Sequence, residues 1–320
     1  MTPVCEDWRG LPAQDAVALV AAEVRVWRRR LDWDVSRAWS LIEPARAAGH
    51  LPGFVARDSA GRVTGWTCFL VHRDCLQVAI LVAESCEVTS ALVDGIVSSA
   101  EAACATSFAL SVRDAAPGLR EALTAQGIAV TTYRYLGMES LTPAADQASN
   151  LRRWQGDDVD RMARLCARAY ARSHDVRAFA VDGTPDEWSD YVTGLVTRPG
   201  GGSFLPDASF AAGTEAGELD AAVITTELAP RTSHIAQLAV DPEARRRGLG
   251  RTLMRSAMSR AAAIGYTRMT LLVAKANTPA ARLYDQLGFR DYAAFVVAAI
   301  GQPRRSTSIA LATIGDSARL

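Results

Sequence analysis

The chain has 320 residues, 49% of them hydrophobic and 22% charged, with 35 basic and 35 acidic side chains and a formal net charge of zero. That composition supplies ordinary cores and argues against a disordered chain, and at about 100–200 residues per domain the length suits two domains. A balanced charge, with a pI near 6.9, leaves no bulk electrostatic case for nucleic acid or for an anionic membrane as partner.

The six cysteines (Cys5, Cys68, Cys75, Cys86, Cys104 and Cys166) contain no CxxC pair. They match neither a small secreted disulfide framework nor a metal-ligand set, and they read as free thiols in a reducing cytoplasm. Glu6, Asp7 and Arg9 near the start leave no signal-peptide core. The apolar stretch from Ala16 is broken by Glu23, Arg25 and Arg28, which predicts an amphipathic helix over 13–30 rather than a membrane span. Strands are predicted at 53–57, 63–72 and 76–83, the first two joined by the turn Asp58-Ser-Ala-Gly-Arg62. A helix over 88–105, a strand over 107–113, a short helix over 117–126 stopped by Gly127, and a strand over 128–138 follow. The polar, turn-prone segment 140–152 reads as a joint.

The second half opens with a helix over 157–172. Strands are predicted over 208–214, 219–228 and 234–241, with a turn signal at 215–218. A helix over 248–264 ends at Gly265, a strand follows over 267–274, and Pro279 opens a short helix to 287 that Gly288 stops. The segments 289–299 and 307–314 read as a closing hairpin. The order strand-strand-strand-helix-strand-helix-strand thus occurs twice, and Gly118-Leu-Arg-Glu-Ala-Leu-Thr-Ala-Gln-Gly127 echoes Ala280-Ala-Arg-Leu-Tyr-Asp-Gln-Leu-Gly288. The chain reads as a duplicated α/β (α+β) domain.

The most informative stretch is Leu238-Ala-Val-Asp-Pro-Glu-Ala-Arg245-Arg-Arg-Gly248-Leu-Gly250-Arg251. A strand ends at Val240, Asp241-Pro242 breaks it, and a basic, glycine-bearing loop feeds a helix. Backbone N–H groups then converge at the positive end of a helix dipole. Gly248 and Gly250 let a ligand approach the backbone, and Arg245, Arg246, Arg247 and Arg251 add donors suited to phosphate. The physics describes an anion site that suits a diphosphate, although an ordinary basic helix start would use similar residues. A Walker loop needs Gly-Lys-Ser/Thr, and no lysine is present; a dinucleotide fingerprint needs a third glycine where Leu253 stands.

The run Arg245-x-x-Gly248-x-Gly250 resembles the Q/R-x-x-G-x-G/A loop of the GNAT superfamily of N-acetyltransferases. Downstream, Asn277-x-x-Ala280-x-x-Leu283-Tyr284-x-x-x-Gly288-Phe289 resembles a second signature of that family at the expected distance. The motifs cover about residues 155–300, and the likeness extends to about 1–140 in architecture only. The resemblance implies two GNAT-like domains, each a mixed, mostly antiparallel twisted sheet flanked by helices. These would be a degenerate domain over 1–142, a linker over 143–152 and a catalytic domain over 153–320.

The resemblance also implies roles. Pantetheine would lie as a pseudo-strand against Leu238, Ala239 and Val240, with Arg245 at the head of the loop. Backbone amides of Arg246, Arg247, Gly248, Leu249, Gly250 and Arg251 would hold the pyrophosphate, and Asn277 would touch the pantetheine arm. Tyr284 would protonate the departing thiolate. His234 stands where some family members carry a catalytic glutamate, and a histidine there would titrate in the useful range for a general base; Glu227, His174 and Asp175 are rivals. His174, Asp175 and Arg177 lie where family members shape the acceptor pocket. No metal is implied.

The corresponding place in the first half, Val82-Ala-Glu84-Ser-Cys86-Glu87-Val-Thr-Ser90, has no Arg-x-x-Gly-x-Gly run and two carboxylates where phosphates would bind. Its short helix offers Leu119 and Leu123 but no tyrosine. This half is expected not to bind coenzyme A, and to complete the acceptor cleft, stabilise the fold or recruit a partner. Cys68 and Cys86, and Trp8, Trp27, Trp33 and Trp39, read as packing or interface residues.

The expected reaction is acyl transfer, acetyl by default, from acetyl-CoA or another acyl-CoA to a small-molecule or peptide amine in a ternary complex. A donor carried on the phosphopantetheine of an acyl carrier protein is an alternative, and a non-catalytic coenzyme A-binding protein is another.

Overall fold

The computed structural model describes residues 3–72, 75–143, 151–172, 179–180, 183–197, 201–213 and 217–301. The expected strand over 307–314, most of the expected linker, part of the turn at 215–218, and His174, Asp175 and Arg177 lie outside the described residues.

The first half contains β1 (Val4–Asp7), α1 (Ala13–Leu31), α2 (Ser36–Trp39), α3 (Ile42–Ala47), β2 (Gly53–Arg57), β3 (Val63–His72), β4 (Cys75–Ala83), α4 (Cys86–Val97), α5 (Ala100–Cys104), β5 (Ser107–Arg113), α6 (Leu119–Ala125) and β6 (Val130–Glu139). The second half contains β7 (Arg152–Arg153), α7 (Asp158–Tyr170), α8 (Pro185–Thr197), β8 (Ser203–Phe204), β9 (Phe210–Gly213), β10 (Leu219–Ala229), β11 (Thr232–Val240), α9 (Leu249–Ala263), β12 (Arg268–Ala274), α10 (Thr278–Gln286) and β13 (Arg290–Gly301).

The helix expected over 88–105 is two helices. Ser99 turns extended, and its Oγ accepts from the amide of Ala102 at 3.1 Å, so a serine cap restarts the helix as α5. In the second half α8 was not anticipated, although its start carries a capping box. The Thr184 Oγ1 accepts from the Glu187 amide at 3.3 Å, and the Glu187 carboxylate accepts from the Thr184 amide at 3.1 Å.

The described strands form a single 13-stranded sheet in the order β1-β2-β3-β4-β5-β13-β6-β12-β11-β10-β9-β7, with β8 beside β10. The two halves exchange their last strands. Residues Phe295–Gly301 of β13 pair with β5 of the first half, and β6 pairs along Tyr133–Glu139 with β12 of the second. β13 and β6 also pair with each other, from Arg290↔Gly137 to Ala298↔Val130. Arg134 clamps this seam, donating to both carboxylate oxygens of Asp291 at 2.8 Å.

Helices cover both faces. In the first half α4 and α6 pack on one face over Leu92, Leu110 and Leu123. Trp27, Trp33, Trp39, Tyr135 and Phe295 join α1 and α2 to the other. In the second half α9 and α10 bury Leu253, Met254 and Phe289, and α7 with α8 bury Met162, Leu165 and Trp188. Tyr135 on β6 donates to the carbonyl of Leu31 at 2.7 Å, and the Asp34 amide donates to Leu228 at 2.9 Å.

The exchange carries a prediction. Residues 1–142 alone lose β13 from beside β5, and residues 153–320 alone lose β6 from between β13 and β12. Both fragments then expose long unpaired edges. Each fragment produced separately is expected to aggregate or to melt without a cooperative transition, whereas co-expression restores the native melt. A monomeric fragment with a cooperative thermal transition contradicts this.

Candidate functional site

β11 and β12 run parallel but pair only at Thr232–Ile235 with Arg268–Leu271. Past that point Gln237–Val240 stay with β10, and Leu272–Ala274 stay with β6. The strands splay, and the β11 backbone edge that faces β12 loses its sheet partner. A bulge in the β10 pairing between Ile224 and Thr225 falls at the same level. The slot opens into a cavity of about 1310 Å³ lined along β11 from His234 to Val240. Six residue steps of strand make it roughly 20 Å long.

At the Val240 end the chain turns through a loop that is held from behind. Arg168 donates to Asp241 at 2.7 Å, and Asp241 in turn accepts from the amide of Glu243 at 3.0 Å. Arg245 donates to the carbonyls of Ala169 at 2.6 Å and Val240 at 3.3 Å, so its guanidinium fastens the loop to α7 and β11. Arg246 then takes φ +62° and Gly248 φ +84°. An arginine in the left-handed region is strained, and the two left-handed residues turn the chain from β11 into the start of α9. α9 starts at Leu249 with no side-chain cap and no acid in its first turn, so its orphan amides remain available to a ligand. A Cβ on Gly248 would meet nothing within 4 Å. Arg251 lines the cavity and donates to Gln286, tying α9 to α10. Arg247 is exposed and does not line the cavity.

Asn277 lines the cavity and caps α10, its Oδ1 accepting from the amide of Ala280 at 3.3 Å. The cap uses the oxygen and leaves the amide NH₂ as the donor end. Two turns later Tyr284 lines the same cavity and packs edge-on against Phe289 at 6.0 Å between centroids. Burial raises its phenol above the usual tyrosine range, so it is held protonated.

His234 lines the far end of the slot. Its Nδ1 lies 2.8 Å from Thr270 Oγ1, and its ring sits 5.7 Å from Trp33 and 6.2 Å from Tyr135. The Thr270 hydroxyl has acceptors in Ser233 O at 3.5 Å and in Tyr135. With the proton on Nδ1 the ring donates to Thr270 and keeps Nε2 as an acceptor. The expectation that this histidine titrates near neutrality is corrected: burial lowers its pKa to about 3. Native His234 therefore stays neutral where an unfolded imidazole, at about 6.5, takes up a proton. Stability is full above 6.5 and falls as pH drops from there toward 3, by at most about 1.4 kcal/mol per pH unit. His234→Asn is expected to flatten the dependence of melting temperature on pH below 6.5. An unchanged slope overturns that assignment.

The rest of the wall was not foreseen. Tyr170 on α7 donates to the carbonyl of Leu238 at 2.8 Å, and Tyr191 of α8 and Phe179 also line the cavity. Trp33 and Tyr133 reach it from the first half. The rival base Glu227 accepts from Tyr266 and is not part of the lining. Among the described residues no cluster of three His, Cys, Asp or Glu side chains suits a metal.

The first half repeats the splay without the loop. β4 and β5 pair only at Cys75–Val78 with Ser107–Leu110. Between β4, ending at Ala83, and α4, starting at Cys86, stand Glu84 and Ser85 alone. Between β11, ending at Val240, and α9, starting at Leu249, run residues 241–248. Ser85 Oγ accepts from the amide of Val88 at 3.3 Å and so occupies the helix start that the second half leaves open. The start of α6 closes on it, since a Cβ at Gly118 would lie 3.1 Å from Cys86 Sγ.

Residues 171–289 match the model of the acetyltransferase (GNAT) family. No protein of curated function matches the sequence. Among solved structures, a GCN5-related N-acetyltransferase from Sphaerobacter thermophilus aligns with 95% of this chain and 98% of its own at 16% identity and a TM-score of 0.65. A GCN5-related glucosamine N-acetyltransferase region of a fungal multi-domain GH3 β-N-acetylglucosaminidase aligns with 93% of this chain and 38% of its own, at 16% identity and a TM-score of 0.56. A tandem GNAT protein from the clavulanic acid biosynthesis pathway aligns with 94% of this chain and 100% of its own, at 15% identity and a TM-score of 0.52. At such identities the likeness concerns the fold, which is the tandem GNAT arrangement.

Proposed function

From a chain that carries a GNAT acetyltransferase domain over residues 171–289, we propose an acyl-CoA-dependent N-acyltransferase, acetyl by default, acting by direct attack of an amine in a ternary complex. The observation that carries this reading is one continuous cavity. It runs from the open amides at Arg246–Gly250, along the unpaired edge of β11, past Tyr284 to His234.

The chain's residues fit the donor by chemistry and length. The backbone of the Arg246–Gly250 turn, the α9 N-terminus and Arg246 and Arg251 would hold a diphosphate, and Leu238, Ala239 and Val240 would offer backbone to pantetheine amides. The Asn277 amide would donate to the same arm. The thioester supplies an activated acyl carbon. Tyr284, kept protonated by burial, would donate to the sulfur as the bond to carbon breaks. The burial that raises a phenol also raises a thiolate, which keeps the two matched.

The amine must arrive neutral. We assign His234 the part of hydrogen-bond acceptor through Nε2, orienting the nucleophile, with proton loss to water. A group with a pKa near 3 stores no proton at pH 7, so His234 contributes no inflection near 6.5 to the pH profile of kcat/KM.

The first half is proposed to complete the acceptor end through Trp33 and Tyr133 and to bind no coenzyme A. A cytoplasmic setting is proposed from the six cysteines, all unpaired. No helix among the described residues is long and apolar enough to cross a membrane.

The test is calorimetric titration of the full chain with acetyl-CoA. One site per chain supports the reading, and two sites overturn the assignment of the first half. No heat with acetyl-CoA overturns the free-coenzyme donor, and acyl transfer from a loaded carrier protein in that case would establish the alternative donor.

A further inference from the structure

The acceptor end of the cavity is built of rings. Tyr191 on α8 meets Phe179 at 5.3 Å between centroids, and Phe179 meets Tyr133 edge-on at 6.0 Å. Trp33 adds a further ring beside His234 at 5.7 Å. All four line the cavity, and they come from four separate stretches of chain: the segment after α1, β6, the segment before α8, and α8 itself. The charged side chains among the described lining residues are Arg172, Arg245, Arg246 and Arg251, with no carboxylate. Three of these arginines belong to the loop and first turn at the Gly248 end.

This distribution discriminates between amines. A polyamine would bring two or three ammonium groups and little flat apolar surface against the four rings. A very small polar amine would cover none of the rings and leave them wet. A monoamine with a flat apolar body would remove ring surface from water on both partners, and its single ammonium could rest against an aromatic face before losing its proton.

We infer that the acceptor is an aryl-alkyl monoamine, gripped by Trp33, Tyr133, Phe179 and Tyr191, so that the first half sets acceptor specificity. The inference rests on the acyltransferase reading above. It does not depend on which acyl group is moved.

The experiment measures coenzyme A release by the full chain from acetyl-CoA with 2-phenylethylamine, spermidine and glycinamide. Calorimetric binding of each amine to the protein saturated with coenzyme A is measured in parallel. The expected result is a kcat/KM for 2-phenylethylamine at least about 10-fold above the other two. Tyr133→Leu and Tyr191→Leu are each expected to raise its KM about 10-fold with the acetyl-CoA Kd unchanged, and Tyr133→Phe to restore it. The unchanged Kd and a native melt report folding, and Tyr191→Leu carries the test if Tyr133→Leu does not fold. Preference for spermidine or glycinamide, or leucine variants with wild-type KM, overturns the inference. Acetyl-CoA binding with none of the three amines accepted overturns it while leaving the donor site standing. Absence of acetyl-CoA binding overturns the underlying reading and this inference with it.

Discussion

Gly248→Glu is expected to abolish acetyl-CoA binding in a calorimetric titration of the full chain, a loss of at least about 100-fold in affinity. Two physical effects act in the same direction. Gly248 sits at φ +84°, where a side chain costs roughly 1–2 kcal/mol. The added carboxylate would also occupy the open space above the first amides of α9, where a Cβ meets nothing within 4 Å, and repel a diphosphate at close range. Gly248→Ala separates the two, because it carries the backbone strain without the charge. It is expected to weaken binding about 10-fold. Equal losses in both variants would assign the effect to loop geometry alone. Wild-type affinity in the glutamate variant would place the diphosphate elsewhere and remove the main support for the proposed function.

The loop end of the cavity, proposed above for the acyl donor, was legible in the sequence because its physics is local. The loop, its glycines and the following helix occupy consecutive positions from Val240 to Arg251, and the Asn277 cap and Tyr284 lie one short helix apart. The opposite end, proposed above for the acceptor, was not legible, because its residues meet only in three dimensions. Trp33 and Tyr133 lie 201 and 101 residues before His234 in the chain, and β6 brings Tyr133 to the cavity only because the halves exchange their last strands. Nothing in the pattern of 290–301 says whether that strand pairs with its own half or the other, since strand pairing depends on the partner and not on the strand. The titration of His234 was misjudged for the same reason. Burial under Trp33 and Tyr135 sets it, and both come from the first half. By contrast α8 was within reach, since Thr184-Pro-Asp-Glu187 is a capping-box signature.

Tyr284→Phe isolates the chemical step. The ring packs against Phe289 and lies 6% exposed, so phenylalanine keeps the contact and loses only the hydroxyl. Stability and acetyl-CoA affinity are expected to stay close to wild type. If the hydroxyl donates to the departing sulfur, kcat falls by about 10²-fold or more, with acceptor KM little changed, since the interaction belongs to the transition state. The pH profile adds a second reading. Burial holds the phenol above its ordinary range of about 10, so its protonated form persists throughout the accessible range and wild-type kcat has no falling limb from this group below pH 10. A tyrosine acting only as a packing residue would leave kcat within a few-fold of wild type in Tyr284→Phe. That outcome would move the proton to water or to Tyr170, whose hydroxyl donates to the carbonyl of Leu238 on the strand edge proposed for pantetheine. Tyr170→Phe would then be the variant that loses turnover, and the two single variants together assign the acid.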